Sequence, residues 1–249
     1  MNKQVLKKTA IVTGGARGIG KAIACKLASQ GIHTILLDIN QELLEQTVTE
    51  IQSSGFSASS YVVDLRSVGA IQKSVEEIHT EYQTIDILVN NAGILSKSNI
   101  VDIEEEEWDM VMDTNVKSAV FMTKAVIKYM IKAQRGRIIN ISSLAGRNGG
   151  LKTGTAYSVS KAAIIGLTKR VARFAAGYGI TVNAVAPGTT YTEMVKGFTD
   201  EELESLKASV PMGDLIQPNQ IADAVAFLAA DSSQSITGVV LDVNGGMYF

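Results

Sequence analysis

The run Thr9-Ala10-Ile11-Val12-Thr13-Gly14-Gly15-Ala16-Arg17-Gly18-Ile19-Gly20 changes its hydrophobic period halfway along. Thr9 to Thr13 form a short apolar stretch closed by glycine, which reads as a buried strand. From Gly18 the apolar residues Ile19, Ile23 and Leu27 recur at i, i+4 and i+8, a helical spacing that Gly31 stops. At such a strand-to-helix turn each glycine has a task. Gly14 allows the tight turn, Gly18 lets the main chain approach a pyrophosphate, and Gly20 lets the helix pack closely on the sheet. The free N–H groups of the helix start then face the phosphates.

Working outward, Thr34-Ile35-Leu36-Leu37 reads as a second strand ending at Asp38. This carboxylate lies 24 residues past Gly14, near the separation of about 20 at which an acid meets the adenosine ribose. It would accept from the ribose hydroxyls and repel a 2′-phosphate, so NAD is expected in preference to NADP. Arg17 is the counter-signal, since a guanidinium in this loop suits a 2′-phosphate.

The alternation continues. A helix spans Leu43 to Ile51 and a strand Ser60 to Val63. A helix carries Ile71, Val75, Ile78 and Tyr82, and a strand runs from Ile85 to Val89. A long helical zone covers about Glu105 to Ala133, followed by a strand from Arg137 to Ile141. A helix then runs from about Thr155 to Tyr178 and a strand from Ile180 to Val185. Helices near Asp200 to Ala208 and Pro218 to Ala230 precede a seventh strand, Val239 to Val243. Continuous apolar strands, each followed by a helix, form parallel sheets covered on both faces. The expected fold is α/β, a Rossmann-type doubly wound sheet of seven parallel strands. No linker, repeat or low-complexity run interrupts it, so one domain is expected over residues 1–249.

Bulk properties agree. The 249 residues are 46% hydrophobic with a formal net charge of -2. That gives no basic field for nucleic acid or anionic lipid. Met1 to Thr9 carries Lys3, Lys7 and Lys8 but no apolar run of signal-peptide length. No segment approaches the roughly 20 apolar residues of a membrane span. The cytosol is the expected compartment. The single cysteine, Cys25, sits in an apolar helical context and reads as a buried, inert thiol.

Tyr157 and Lys161 are four residues apart on a helix and share a face. Hydride exchange at a carbonyl carbon requires a proton to move at its oxygen. A free tyrosine titrates near ~10, too high for an efficient base at neutral pH. An adjacent ammonium and an oxidised nicotinamide would lower it. The same ammonium could reach the nicotinamide ribose. Ser143, after the fifth strand, could donate a hydrogen bond to the substrate oxygen.

Further motifs carry a family resemblance. Asn90-Asn91-Ala92-Gly93 follows the fourth strand, and Tyr157-Ser158-Val159-Ser160-Lys161 lies on the helix after the fifth. Pro187-Gly188 follows the sixth. With the glycine loop and Ser143, in this order and spacing, the chain resembles the short-chain dehydrogenase/reductase family from Lys8 to Asn244-Gly245-Gly246. The resemblance implies that Gly14, Gly18, Ile19 and Gly20 line the pyrophosphate and Asp38 the ribose, with Arg17 among the cofactor-binding residues. It implies that Asp64 and Leu65 flank the adenine, that Asn91, Ala92 and Gly93 lie along the cofactor, and that Pro187, Gly188, Thr190 and Thr192 hold the nicotinamide end. It makes Asn115, Ser143, Tyr157 and Lys161 a catalytic tetrad, with Asn115 holding a relay water. Ser143 is chosen over its neighbour Ser142 because it aligns through Leu144-Ala145-Gly146.

The implied reaction is hydride transfer between NAD(H) and a small-molecule alcohol or carbonyl. An alternative is an NADPH-dependent 3-oxoacyl-(acyl-carrier-protein) reductase, which the ending Val243-Asn244-Gly245-Gly246-Met247-Tyr248 resembles. Against it stand Asp38 and the alignment of that enzyme's carrier-binding basic residues with Gln134 and Tyr178, although Arg135 is adjacent. A second alternative is a dinucleotide-binding regulator without turnover. Substrate walls are expected from Leu95, from Ala145 to Leu151, and from a segment at about 188–216. The family's habit of pairing its long helices, and the apolar Val120, Phe121, Val126, Ile127, Met130 and Ile131, imply a homotetramer.

His33 and His79 lie away from these motifs. No cysteine–histidine cluster exists, so no metal site is expected. Glu104 to Glu107 read as acids opening a helix.

Overall fold

Alternate residues of the inner strands point to opposite sides of one sheet, and both sides are apolar. In the computed structural model, which describes residues 8–150, 152–192 and 199–249, Ile11, Ile35, Leu88, Ile138 and Val182 bury into one core. Ala10, Val12, Leu36, Val89 and Ile139 bury into another. A strand buried on both faces must be covered on both faces. The first core is closed by α3 (Val68–Tyr82), α5 (Ser118–Ala133) and α7 (Thr155–Ala175). The second is closed by α1 (Gly18–Ser29), α2 (Gln41–Ser53) and α9 (Pro218–Ala229).

The strands are β1 (Thr9–Thr13), β2 (His33–Asp38), β3 (Ala58–Val62), β4 (Ile87–Asn90), β5 (Gly136–Ile141), β6 (Ile180–Pro187) and β7 (Val240–Val243). They form one seven-stranded sheet in the order β3-β2-β1-β4-β5-β6-β7, and every pairing is parallel. This is the expected Rossmann-type doubly wound sheet. The order reverses between β1 and β4, so the chain leaving these two strands diverges and opens a crevice at their carboxyl ends. Among the described residues no helix is long and apolar enough to cross a membrane.

Two local features depart from the expected pattern. The stretch expected as one helical zone is α4 (Glu105–Met112), a π-helical turn at Asp113–Lys117, and then α5. A four-residue helix, α6 (Ala145–Asn148), follows Ser143. The remaining helix, α8 (Asp200–Ala208), opens with a capping box between Thr199 and Glu202. Cys25 is half-buried rather than buried, and burial pushes its thiol up, away from the reactive thiolate. On α5, Val126 and Met130 belong to the core, while Phe121, Ile127 and Ile131 are only partly buried.

Candidate active site

The glycine loop is locked before any ligand arrives. Gly14 has φ +62, and a Cβ on Gly20 would lie 2.0 Å from the Gly14 carbonyl oxygen, so no side chain fits there. The Asn91 side chain donates to the carbonyls of Thr13 at 2.9 Å and Gly14 at 3.1 Å. The Thr13 hydroxyl accepts from the amides of Asn91 and Ala92 at 3.0 and 3.1 Å. Thr13 thereby joins the ends of β1 and β4 across the crevice. Ile19 packs on the core beneath.

Asp38 does not present a free carboxylate. One oxygen accepts from the Ala16 amide at 3.3 Å and the other from the Asn40 amide at 3.1 Å. Arg17, one residue further along the glycine loop, is exposed. Asp64 is likewise engaged. Arg66 grips it through contacts of 2.8 to 3.2 Å and holds its carboxyl below the usual range. Leu65 is buried.

β5 delivers two adjacent serines to different places. The Ser142 hydroxyl is buried and donates to the Lys161 carbonyl at 2.8 Å. The Ser143 hydroxyl accepts from the Ala145 amide at 3.1 Å and lies on the side of the Tyr157 phenol, whose titration it lowers. Geometry thus separates two residues that sequence distinguishes only by alignment. α7 brings Lys161 under Tyr157, its Nζ 5.6 Å from the ring centroid. That ammonium is 5% exposed and donates to the Ile141 carbonyl at 2.9 Å. Burial pushes Lys161 down to about 8 and pushes Tyr157 above its ordinary value, with only the Ser143 hydrogen bond opposing.

Asn115 sits in the π-helical turn, a device that recurs at functional sites. Its Oδ1 accepts from the Ile94 amide at 2.8 Å. Its Nδ2 donates to the Ile94 carbonyl and to the Ser160 hydroxyl, both at 3.0 Å. Both side-chain donors are thus committed to protein.

Two glycines and an unpartnered hydroxyl border the crevice. A Cβ on Gly93 would lie 3.3 Å from Lys161 Nζ and 3.2 Å from Asn115 Oδ1, so the bare Gly93 opens the route to the ammonium. A Cβ on Gly18 would lie 3.9 Å from the Thr192 methyl, and the Thr192 hydroxyl is buried without a partner among the described residues. A buried orphan hydroxyl is costly unless something else bonds to it. Across the crevice, the Pro187 carbonyl accepts from Leu144 at 2.8 Å, Gly188 backs onto Asn244, and Thr190 donates to the Gly188 carbonyl at 3.0 Å. Of the expected substrate walls, Leu95 is exposed at the rim. Leu151 and 193–198 lie outside the described residues.

A family model described as enoyl-(acyl carrier protein) reductase matches residues 14–248. The chain is 42% identical over 241 residues to the 3-oxoacyl-[acyl-carrier-protein] reductase FabG of Vibrio cholerae, covering 97% of each chain. The chain belongs to the short-chain dehydrogenase/reductase family. FabG of Escherichia coli is 40% identical, again over 97% of each chain. Two solved members of the family superpose with a TM-score of 0.92. One is an actinorhodin polyketide ketoreductase with NADPH, 33% identical over 97% of each chain. The other is the 3-oxoacyl-[acyl-carrier protein] reductase of Brucella melitensis, 32% identical over 98% of this chain and 92% of that one.

The chain is accordingly an oxidoreductase of this family acting on a carbonyl/CH–OH pair, which removes the reading as a regulator without turnover. The expected preference for NAD is overturned. The relatives are FabG reductases and the ketoreductase neighbour holds NADPH, which points to NADP. Asp38 accepts one main-chain amide at each oxygen, and Arg17, beside Ala16 in the same loop, is the exposed cation that the acid's position in sequence outweighed. Sequence reading passed over Thr13, Ser96 and Ser160, which hold the site through contacts between distant segments. Thr13 and Ser160 lie inside quoted motifs, but only the fold shows what they bond; Ser96 lies in none.

Proposed function

We propose that the protein is an NADPH-dependent 3-oxoacyl thioester reductase of the acyl-carrier-protein type, with Tyr157 as the proton donor. The observation that carries this reading is the buried Lys161 ammonium, placed by the same helix 5.6 Å from the centre of the Tyr157 ring. A protonated phenol is an acid, and carbonyl reduction needs an acid at the oxygen.

When bound, the reduced nicotinamide supplies the hydride. Gly14, Gly18, Ile19 and Gly20 would cradle the pyrophosphate, and Arg17 would pair with the 2′-phosphate. Asp38, Asp64 and Leu65 would border the adenosine. Asn91, Ala92 and Gly93 would lie along the cofactor, with Pro187, Gly188, Thr190 and the orphan hydroxyl of Thr192 at its nicotinamide end. Lys161 would hold the nicotinamide ribose. Ser143 donates a hydrogen bond to the substrate oxygen, and Tyr157 Oη gives that oxygen its proton. The Lys161 ammonium stabilises the phenolate left behind. Asn115 orders the strut between Ile94 and Ser160 and so fixes the site's geometry. One domain spanning residues 1–249 carries both sites, with the substrate segment at about 188–216. Assembly as a cytosolic homotetramer fits the half-buried apolar residues Phe121, Ile127 and Ile131, and a monomeric mass by light scattering would count against it.

The test is loss of reduced-cofactor absorbance with the 3-oxobutanoyl thioester of N-acetylcysteamine. Turnover with NADPH well above that with NADH is expected. An inert protein, or one served better by NADH, overturns the reading.

A further inference from the structure

The helix that carries Tyr157 and Lys161 begins without a cap of its own. Its N-cap residue is Gly154, which has no side chain to offer. The first turn of a helix leaves its amide groups unpaired, and a side-chain oxygen normally meets one of them. Here the loop after β4 does so from some 60 residues away. The Gly154 amide donates to the Ser96 carbonyl at 2.7 Å and the Thr155 amide to the Ser98 carbonyl at 2.9 Å. The amide of Tyr157 itself donates to Ser96 Oγ at 3.2 Å. The fit is close: a Cβ on Gly154 would stand 2.8 Å from the main chain of Ser96 and Lys97. The loop is braced behind by Ser98, which donates to Glu107 of α4.

The other end of Tyr157 is held as well. Ser160 Oγ donates to the Tyr157 carbonyl at 2.7 Å and accepts from Asn115 at 3.0 Å. Both polar groups of the Tyr157 main chain are therefore fixed by side chains, one from α7 and one from the loop. Ser96 is itself only 6% exposed, so no bulk water substitutes for it.

We propose that Ser96 is a positioning residue for proton transfer, setting the height of the Tyr157 phenol by bonding that residue's amide. The inference rests on Tyr157 being the proton donor. An error of about 1 Å in such a group costs about a hundredfold in rate, and loss of one of several restraints allows less. Ser96→Ala is expected to lower kcat about tenfold, with KM and the NADPH dissociation constant within about twofold of the parent. Ser96→Thr, which keeps the hydroxyl, restores most of the rate. The experiment is steady-state reduction of the 3-oxobutanoyl thioester of N-acetylcysteamine by these variants, alone and combined with Tyr157→Phe. Because Ser96 acts through the phenol, Ser96→Ala costs nothing further once Tyr157 is Phe. If Ser96→Ala does not fold, Ser96→Cys, with a weakly accepting sulfur, takes its place. A kcat within about twofold of the parent overturns the inference. So does an equal further loss in the Tyr157→Phe background, which marks a purely structural cap. A Tyr157→Phe enzyme with normal turnover overturns instead the reading on which the inference rests.

Discussion

At the amino ends of the strands, charge is met by charge. Lys8 lies 2.7 Å from Asp231, and Arg135 lies 3.0 Å from Asp86, which also accepts from the Thr9 amide at 3.0 Å. At the carboxyl ends, on the crevice floor, the Lys161 ammonium is almost fully buried. It bonds one carbonyl and meets no carboxylate among the described residues. Arg147 and Asp242 at that same end are paired, so among the described residues it is the buried Lys161 that is left unbalanced. An ammonium without a counter-charge in an apolar setting destabilises a fold. Such a group persists where a ligand completes it, which is why perturbed titration marks sites. Arg135, adjacent to the position aligned with a carrier-binding basic residue, belongs to the balanced end through Asp86.

Four experiments sharpen or break this contrast. The largest effect belongs to Tyr157→Phe, which keeps the ring and its packing. Turnover should fall by about 10²- to 10⁴-fold while NADPH binding, followed by fluorescence titration, survives. Near-normal turnover would dissolve the functional meaning of the unbalanced ammonium.

Lys161→Met comes next, read as stability of the ligand-free protein. A lysine lowered from 10.5 to about 8 carries a burial cost of about 3 kcal/mol at neutral pH. Losing its bond to Ile141 offsets about 1 kcal/mol of that, so a net gain of about 2 kcal/mol is expected. The pH dependence has a definite sign. Between about pH 8 and 10.5 the unfolded chain holds the extra proton, so ligand-free stability rises with pH through this window on account of Lys161. Tyr157, pushed up, acts in the opposite sense above its ordinary value of about 10. Denaturant titrations at several pH values should show the Lys161 rise in the parent and its loss in the variant, whose turnover and cofactor binding both fail. A variant that is less stable at pH 7 refutes the idea of an uncompensated charge.

Arg17→Ala should weaken NADPH binding by about 10- to 100-fold, the worth of a charge-assisted hydrogen bond to phosphate, and leave NADH binding unchanged. Equal losses for both cofactors would remove Arg17 from the 2′ position. The smallest effect is at the balanced end. Arg135 is 62% exposed at its side chain, so Arg135→Ala should cost under about 1 kcal/mol by thermal denaturation and leave turnover untouched.

Much of this was legible in the sequence because burial on two faces writes itself as apolar runs. All seven strands were expected within about two residues of where they lie. The motif residues were legible because each belongs to a short local pattern. What escaped depends on contacts that a linear reading does not contain. Asp38 looks like a free acid until the amides of Ala16 and Asn40 are placed beside it. Ser96 is an ordinary loop serine until α7 arrives with glycine at its start. A four-residue helix such as α6 is too short to show a period. On α5 the apolar surplus shrinks once Val126 and Met130 are seen to belong to the core.

The π-helical turn at Asp113–Lys117 has a consequence for how the gene can change. Such a turn is an α-helix carrying one residue too many. Deleting a single codon within it would restore regular hydrogen bonding and yield a better-formed helix. Each residue advances an α-helix by about 100°, so the same deletion would swing Asn115 away from Ile94 and Ser160. The most accessible improvement to this helix as a helix is therefore a loss for the enzyme. Selection for stability alone would erase the turn, and selection for turnover must keep restoring it.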